Sequence, residues 1–379
     1  MTAPRKLEVR HLDAARGPTV RPGHFHLARA EAAEVVTHPL LDEVEHARSA
    51  TADIQQGRYL EVSPSQVMVY RISAGGRTQL GLLLEAAVVD YVDGRIRPHE
   101  ATRPHAVTAL ADHLERIGVD VAPVTLAHPS DPAIDRILAA IAASTPTLDT
   151  TSEDGTEHHV WLVDAHQVAD AVDRLNRVAA LYVVDGHHRF AAGALLAERS
   201  RRTPPGEAGA DHVFAFVVGD DQLALASYHL LVQDVTAPPE DVAAAVGAHL
   251  DAEATPVDAG EVGRIEPGTI AMWSAGRWYR YDVGRSGPLG DAAMVHEEVL
   301  GPVFGITEPE EDRRLDHVAG TLDPRDLPAR CARDTVAFVV HPPSVAALLG
   351  AADAGRSVPA KSSFFHPKVP AGLFVRRRR

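Results

Sequence analysis

Apolar positions recur along this chain with two spacings, and each spacing predicts a different element. In "SQVMVYRIS" and "QLGLLLEAAVVDYV" they run nearly unbroken, which predicts two strands joined by the turn "AGGRT". From Pro104 the pattern becomes helical. Val107, Leu110, Ala111, Leu114 and Ile117 share one face, and Gly118 is the stop. "DPAIDRILAAIAAST" is a second helix, with Asp131 as N-cap and Pro132 at the first helical position. "HHVWLVD" reads as a strand, "AHQVADAVDRLNRV" as a helix, "ALYVVDG" as a strand and "HHRFAAGALLAERSRR" as a helix. "HVFAFVVGDD" and "LALASYHLLV" read as a hairpin, and "TAPPEDV" opens a C-terminal lobe of mixed helix and strand. The class expected is α+β (mixed α/β), in three regions: an N-terminal segment 1–57, a core 58–235 and a C-terminal lobe 236–379.

Composition narrows the function classes. The chain has 379 residues and a formal charge of -15, which argues against a general nucleic-acid binder while leaving room for a local cationic pocket. A single cysteine, Cys331, excludes a disulfide framework or Cys-rich metal site within the chain, and its place ahead of an apolar strand marks it as an incidental thiol. No apolar run reaches the ~18 residues of a membrane span. "MTAPRKLEVRHLD" lacks the apolar segment of a signal peptide, so a cytoplasmic location is expected.

Three stretches carry candidate chemistry. In "VVDGHHRFAAG", Asp185 and Gly186 fall where a strand gives way to a helix. Asp185 is placed to cap that helix, and Gly186 permits a tight turn. The first-turn N–H groups and the helix dipole favour an anion there, and His187, His188 and Arg189 add donors, Arg189 with a fork that matches phosphate oxygens. A capped helix with a polar first turn explains the same residues. Zinc is a third reading, weakened because adjacent imidazoles point in different directions. "RIRPHEATRPH" offers His99 and Glu100, with Glu100 able to act as a general base if partly desolvated. "PAKSSFFHPKVPAGLF" offers Lys361, Ser362 and Lys368 for a phosphate or substrate, though an alternating strand accounts for it equally. The terminal "RRRR" reads as a solvated, frayed tail.

Together "LYVVDGHHRFAA", "IRPHEAT" and "PAKSSFFHPKVPAGL" resemble, in order and separation, the signatures of the family called domain of unknown function 1015. The first two also resemble motifs of free serine kinases of the ParB/sulfiredoxin-like fold, which make O-phospho-L-serine from ADP or ATP. The resemblance implies a ParB/sulfiredoxin-like nucleotide-binding core with additional N- and C-terminal lobes. It implies Glu100 as the base for the acceptor hydroxyl, and His187, His188 and Arg189, with Gly186, as phosphate-binding groups. Asp185 would position Mg²⁺ or the phosphates, and His188 joins Glu100 and Asp185 in the catalytic set. His99, Thr102, Lys361, Ser362 and Lys368 would contact substrate or phosphate. The implied partners are a nucleotide and a small amino acid, without nucleic acid or membrane, and with a homodimer left open. Two departures stand out: Leu230 replaces a common arginine and His366 a common tyrosine. A nucleotide-responsive binding module without turnover is the alternative reading.

Overall fold

The computed structural model describes residues 16–30, 43–202, 211–263, 265–286, 290–309, 311–358, 361 and 363–378. The chain divides into two compact units: Met1–Pro98, Thr102–Leu223 and Pro367–Arg379 in the first, His99–Ala101 and Ala224–His366 in the second. Among the described residues each unit mixes helices with largely antiparallel sheets, the α+β class that the pattern predicts. No helix among them is long and apolar enough to cross a membrane.

The first unit contains strands β1 (Val20–Arg21), β2 (Phe25–Ala28), β3 (Tyr59–Val62), β4 (Gln66–Ala74), β5 (Arg77–Ala87), β6 (Ile96–Pro98), β7 (Val119–Asp120) and β8 (Val124–His128). They are followed by β9 (Leu148–Thr151), β10 (Glu157–Asp164), β11 (Leu181–Asp185), β12 (His212–Gly219) and the C-terminal β21 (Phe374–Arg377). Its helices are α1 (Glu43–Gln55), α2 (Val88–Val92), α3 (Pro104–Ile117), α4 (Pro132–Ala142), α5 (Ala169–Leu175) and α6 (His187–Arg202).

The main sheet runs β6-β11-β8-β12-β5-β4-β10-β9, with β1 added on β5. One face buries Val67, Val69, Leu82, Leu84, Val213 and Val217 in the core beneath α4, α5 and α6. The other face carries Tyr70, Phe214 and Phe216 against a four-stranded sheet, β3-β2-β21-β7. There Phe25 stacks on Phe214 at 4.6 Å and Phe374 meets Tyr70 edge-on at 4.9 Å. Burial on both faces explains why these strands read as continuous apolar runs.

Local signals are obeyed where chemistry is local. The β4–β5 hairpin turns on Gly75 and Gly76, both at positive φ, as a tight two-residue loop requires. Gly118 ends α3 in the left-handed region, and Asp131 caps α4 by accepting the Ala133 N–H at 2.8 Å. The strand expected to reach Val92 stops at Ala87. Val88–Val92 coils into α2 because the fully buried Asp90 accepts the Thr19 N–H at 2.6 Å and pairs with Arg95. The expected frayed tail begins as a strand: Arg376 and Arg377 belong to β21, which pairs with β2 and β7, and Arg376 is 2% exposed. Its guanidinium bonds to Asp120, and Arg378 pairs with the same carboxylate, whose burial alone would raise its pKa and whose two arginines lower it instead.

The second unit holds β13 (Ala224–Ala226), β14 (Tyr228–Val232), β15 (Thr255–Val257), β16 (Thr269–Ser274), β17 (Arg277–Asp282), β18 (Leu315–Ala319), β19 (Val336–Val340) and β20 (Phe364–His366). Its helices are α7 (Pro239–Leu250), α8 (Asp291–Val295), α9 (Gly301–Phe304) and α10 (Val345–Asp353). Among the described residues a six-stranded sheet runs β15-β17-β16-β19-β14-β18, beside a separate β13–β20 pair. Alternate residues go to opposite cores: Leu230, Ile270, Met272 and Phe338 to one, Leu231, Ala271, Trp273 and Val339 to the other. The hairpin expected from "HVFAFVVGDD" and "LALASYHLLV" does not form. β12 pairs with β5 and β8, whereas β14 pairs with β18 and β19. The Asp220–Gln222 turn is 3₁₀-helical rather than a hairpin loop, and it frees both strands for long-range partners.

Candidate active site

Strand β11 is buried from Leu181 to Val184 and pairs in parallel with β6, which sets Val183 opposite Pro98. Its register against β8 shifts between Val183 and Asp185, so Val184 is the extra residue of a bulge and Asp185 pairs with Thr125 just beyond it. Gly186 follows at φ 89°, and a Cβ there would lie 2.8 Å from Arg189 Nε and 3.1 Å from Val124 Cγ1. Its carbonyl accepts the Phe190 N–H at 2.9 Å, the bond that starts α6. Gly186 is therefore the residue at which the helix begins. The N–H groups of His187, His188 and Arg189 open the helix ahead of that bond, where its dipole favours an anion.

Asp185, expected as the cap, directs its carboxylate elsewhere. Oδ1 accepts from Lys368 Nζ at 2.7 Å and Oδ2 from Arg189 Nη2 at 2.5 Å. Two charged donors outbid a backbone amide. Burial would raise this carboxyl, but Lys368, then Arg189, hold it well below the usual carboxylate range, so it stays ionised at neutral pH. The pairing between Asp185 and Lys368 spans 183 positions and has no local signature.

His187 is buried, whereas His188 is half-exposed and its Nε2 accepts the Arg103 N–H at 3.2 Å. That bond requires a lone pair on Nε2, so a neutral His188 carries its proton on Nδ1. The two rings differ in surroundings, as adjacent helical positions should. Phe190, fully buried, stacks on Tyr91 at 4.7 Å and anchors the helix start. Ala192 and Leu196 of α6 pack on Ala111 and Leu114 of α3. Thr102, half-buried, precedes α3 by two residues.

In the second unit, His99 is fully buried; its Nε2 is 3.4 Å from Ser363 Oγ and its ring centroid 5.7 Å from that of Phe365. Glu100, half-buried, forms an isolated parallel bridge with Val358, whose N–H donates to the His99 carbonyl at 2.7 Å. His99 thus meets Ser363 and Phe365, from a distant stretch of the chain, inside the second unit. Lys361 is exposed at φ 63°, its ammonium 5.1 Å over the Tyr228 ring. Ser362 lies outside the described residues. Leu230 is fully buried in register with His317 and Phe338, so the position where an arginine is common is apolar core here. His366 sits half-buried on β20 opposite Ala224. Cys331 is half-buried, its thiol pushed up to about 11 by burial, which suits an inert thiol.

Two cations, one carboxylate and a helix N-terminus make the β11–α6 junction suited to holding a phosphate chain. As a direct Mg²⁺ ligand Asp185 fits poorly, because each of its oxygens already accepts from a cation.

The family model described as "Protein of unknown function (DUF1015)" matches residues 21–317. No curated protein gives a significant match. Among solved structures, a C-terminally truncated SbnI from Staphylococcus aureus is 14% identical, covering 76% of this chain and 85% of its own at a TM-score of 0.43. A free serine kinase in complex with AMP is 12% identical, with 77% and 92% covered and a TM-score of 0.40. A conserved hypothetical protein from Pyrococcus furiosus is 13% identical, with 76% and 93% covered at 0.39.

Proposed function

As a member of the DUF1015 family, whose description assigns no activity, this chain has to be read through its own residues, and we propose that it is a small-molecule kinase. It transfers a phosphoryl group from ADP or ATP to the hydroxyl of free L-serine or a related hydroxy amino acid. The observation that carries this reading is the Lys368–Asp185–Arg189 cluster at the N-terminus of α6.

Phosphoryl transfer asks little covalent chemistry of a protein and much charge neutralisation and alignment. The first-turn amides of α6, Arg189 and Lys368 hold the nucleotide phosphates, with Gly186 allowing close backbone approach. Asp185 holds Arg189 and Lys368 in place, and His188, its Nε2 fixed by the Arg103 amide, lines the same turn. Glu100, on the tripeptide joining Pro98 to Thr102, has the base role by its motif. As the acceptor oxygen bonds to the terminal phosphorus, the bond from that phosphorus to its bridging oxygen breaks. The hydroxyl proton passes to the Glu100 carboxylate, and AMP or ADP leaves with the electron pair. Magnesium enters with the nucleotide as part of the substrate complex, and no protein ligand for it is assigned. His99, Thr102, Lys361 and Ser362 remain proposed acceptor contacts.

The test is incubation with ADP or ATP, Mg²⁺ and pooled amino acids, followed by mass spectrometry. One acceptor should gain one phosphoryl group, and Glu100→Gln should lose turnover while keeping nucleotide affinity. Nucleotide binding without any phosphorylated acceptor would rule the kinase out.

A further inference from the structure

We propose that a cavity of the first unit, bordered by Arg189, receives the aromatic base of a nucleoside phosphate. The inference rests on the nucleotide part of the reading above and assigns the half of that ligand which the phosphate-binding turn leaves unplaced.

The cavity has a volume of about 170 Å³ and is partly open to solvent. Leu110 and Leu114 of α3, Ala122 and Val124 around the start of β8, and Phe214 of β12 form apolar walls. An apolar protein cavity of about 150 Å³ is enough to take up benzene. A flat aromatic ring therefore fits, with its substituent directed to the opening. Burying such a ring stabilises the bound state through both apolar area and ring contacts.

Three charged side chains interrupt this otherwise mainly apolar lining, which separates the space from a packing void. Arg378 and Asp120 contribute a guanidinium and a carboxylate, already bonded to each other. Arg189 contributes the second guanidinium and is the same side chain that bonds Asp185 at the start of α6. One residue thus belongs both to the apolar chamber and to the anion-binding turn. A ligand using both must be aromatic and uncharged at one end and polyanionic at the other. A nucleoside diphosphate or triphosphate has that form, whereas an inorganic phosphate chain would use the turn alone.

Calorimetry on the full chain with ADP and, separately, with inorganic tripolyphosphate separates the two halves. Ala122→Phe fills the chamber from the buried wall, and Leu110→Trp fills it from a half-exposed helix position that tolerates a larger side chain should the first variant fold poorly. Each should weaken ADP binding about tenfold or more, leave tripolyphosphate affinity within about twofold, and keep a wild-type thermal transition. Unchanged ADP affinity in a folded variant overturns the assignment, as does an equal loss for both ligands. If ADP binding depends on the chamber and no acceptor is phosphorylated, the kinase reading falls and the base site stands. If phosphoryl transfer proceeds unaltered in both variants, the kinase reading stands and the base site falls.

Discussion

Gly186 shows how much one residue decides at the β11–α6 junction. At φ 89° an L side chain is strained by about 1–2 kcal/mol, and a Cβ would press on Arg189 Nε. Gly186→Ala should lower the thermal transition and weaken nucleotide binding together, because relief of the clash moves Arg189. Calorimetry and a melting curve check it; unaltered affinity would mean that Arg189 is not positioned by this turn. Asp185 makes the opposite case. Asp185→Asn removes the negative charge that holds Lys368 and Arg189. Tripolyphosphate should bind a few-fold more tightly, while turnover falls because the two cations lose their anchor. Measuring both on one preparation tests the pair of directions. The residue types of this turn are plain in the sequence; the left-handed glycine and the Lys368 partner are not, since both depend on what the chain brings back to the turn.

At the scale of elements, capping and periodicity worked where the deciding atoms lie within a few residues. The β4–β5 turn, the Gly118 stop and the Asp131 cap are of that kind. They failed at the β12/β14 hairpin and at α2, where a distant partner outweighs local preference. A π-helical turn, His296–Leu300, has no periodic signature at all, and it sets the His296 ring 6.3 Å from that of His317 on β18. Burial lowers both imidazoles to about 4; His317 adds to the effect on His296, and Lys361 to that on His317. An unfolded chain takes up these protons near pH 6.5, so between about 6.5 and about 4 the unfolded state binds more protons than the folded one. The second unit should therefore lose stability as the pH falls through that window and level off below it. Melting curves at about pH 7.5 and about pH 5 should differ, and His317→Gln should shrink the difference. An equal acid shift in that variant would count against the pair.

At the scale of the molecule, the last residues close the first unit. β21 supplies Phe374 to the packing between the two sheets, and Arg376 lies buried against Asp120 and the His212 carbonyl. Arg376→Met should cost about 3–5 kcal/mol, the penalty for stranding a buried carboxylate. Denaturant unfolding would measure it, and a loss under about 1 kcal/mol would show that Arg378 alone satisfies Asp120. The first compact unit runs to Leu223 and takes up Pro367–Arg379 again, whereas the element pattern along the chain opens a C-terminal lobe at residue 236. Neither follows from a pattern read along the chain.

The sequence by itself determined the α+β class, the Gly118 end of α3 and the Asp131 start of α4, and the residue types of the β11–α6 turn. Those depend on side-chain spacing and on hydrogen bonds a few residues long. The tertiary structure alone decided that Lys368 shares Asp185 with Arg189, that His99 lies beside Ser363, and that Arg376 of the terminal arginine run is buried in a strand. Each depends on residues far apart in the chain, which no local spacing or short-range hydrogen bond can bring together.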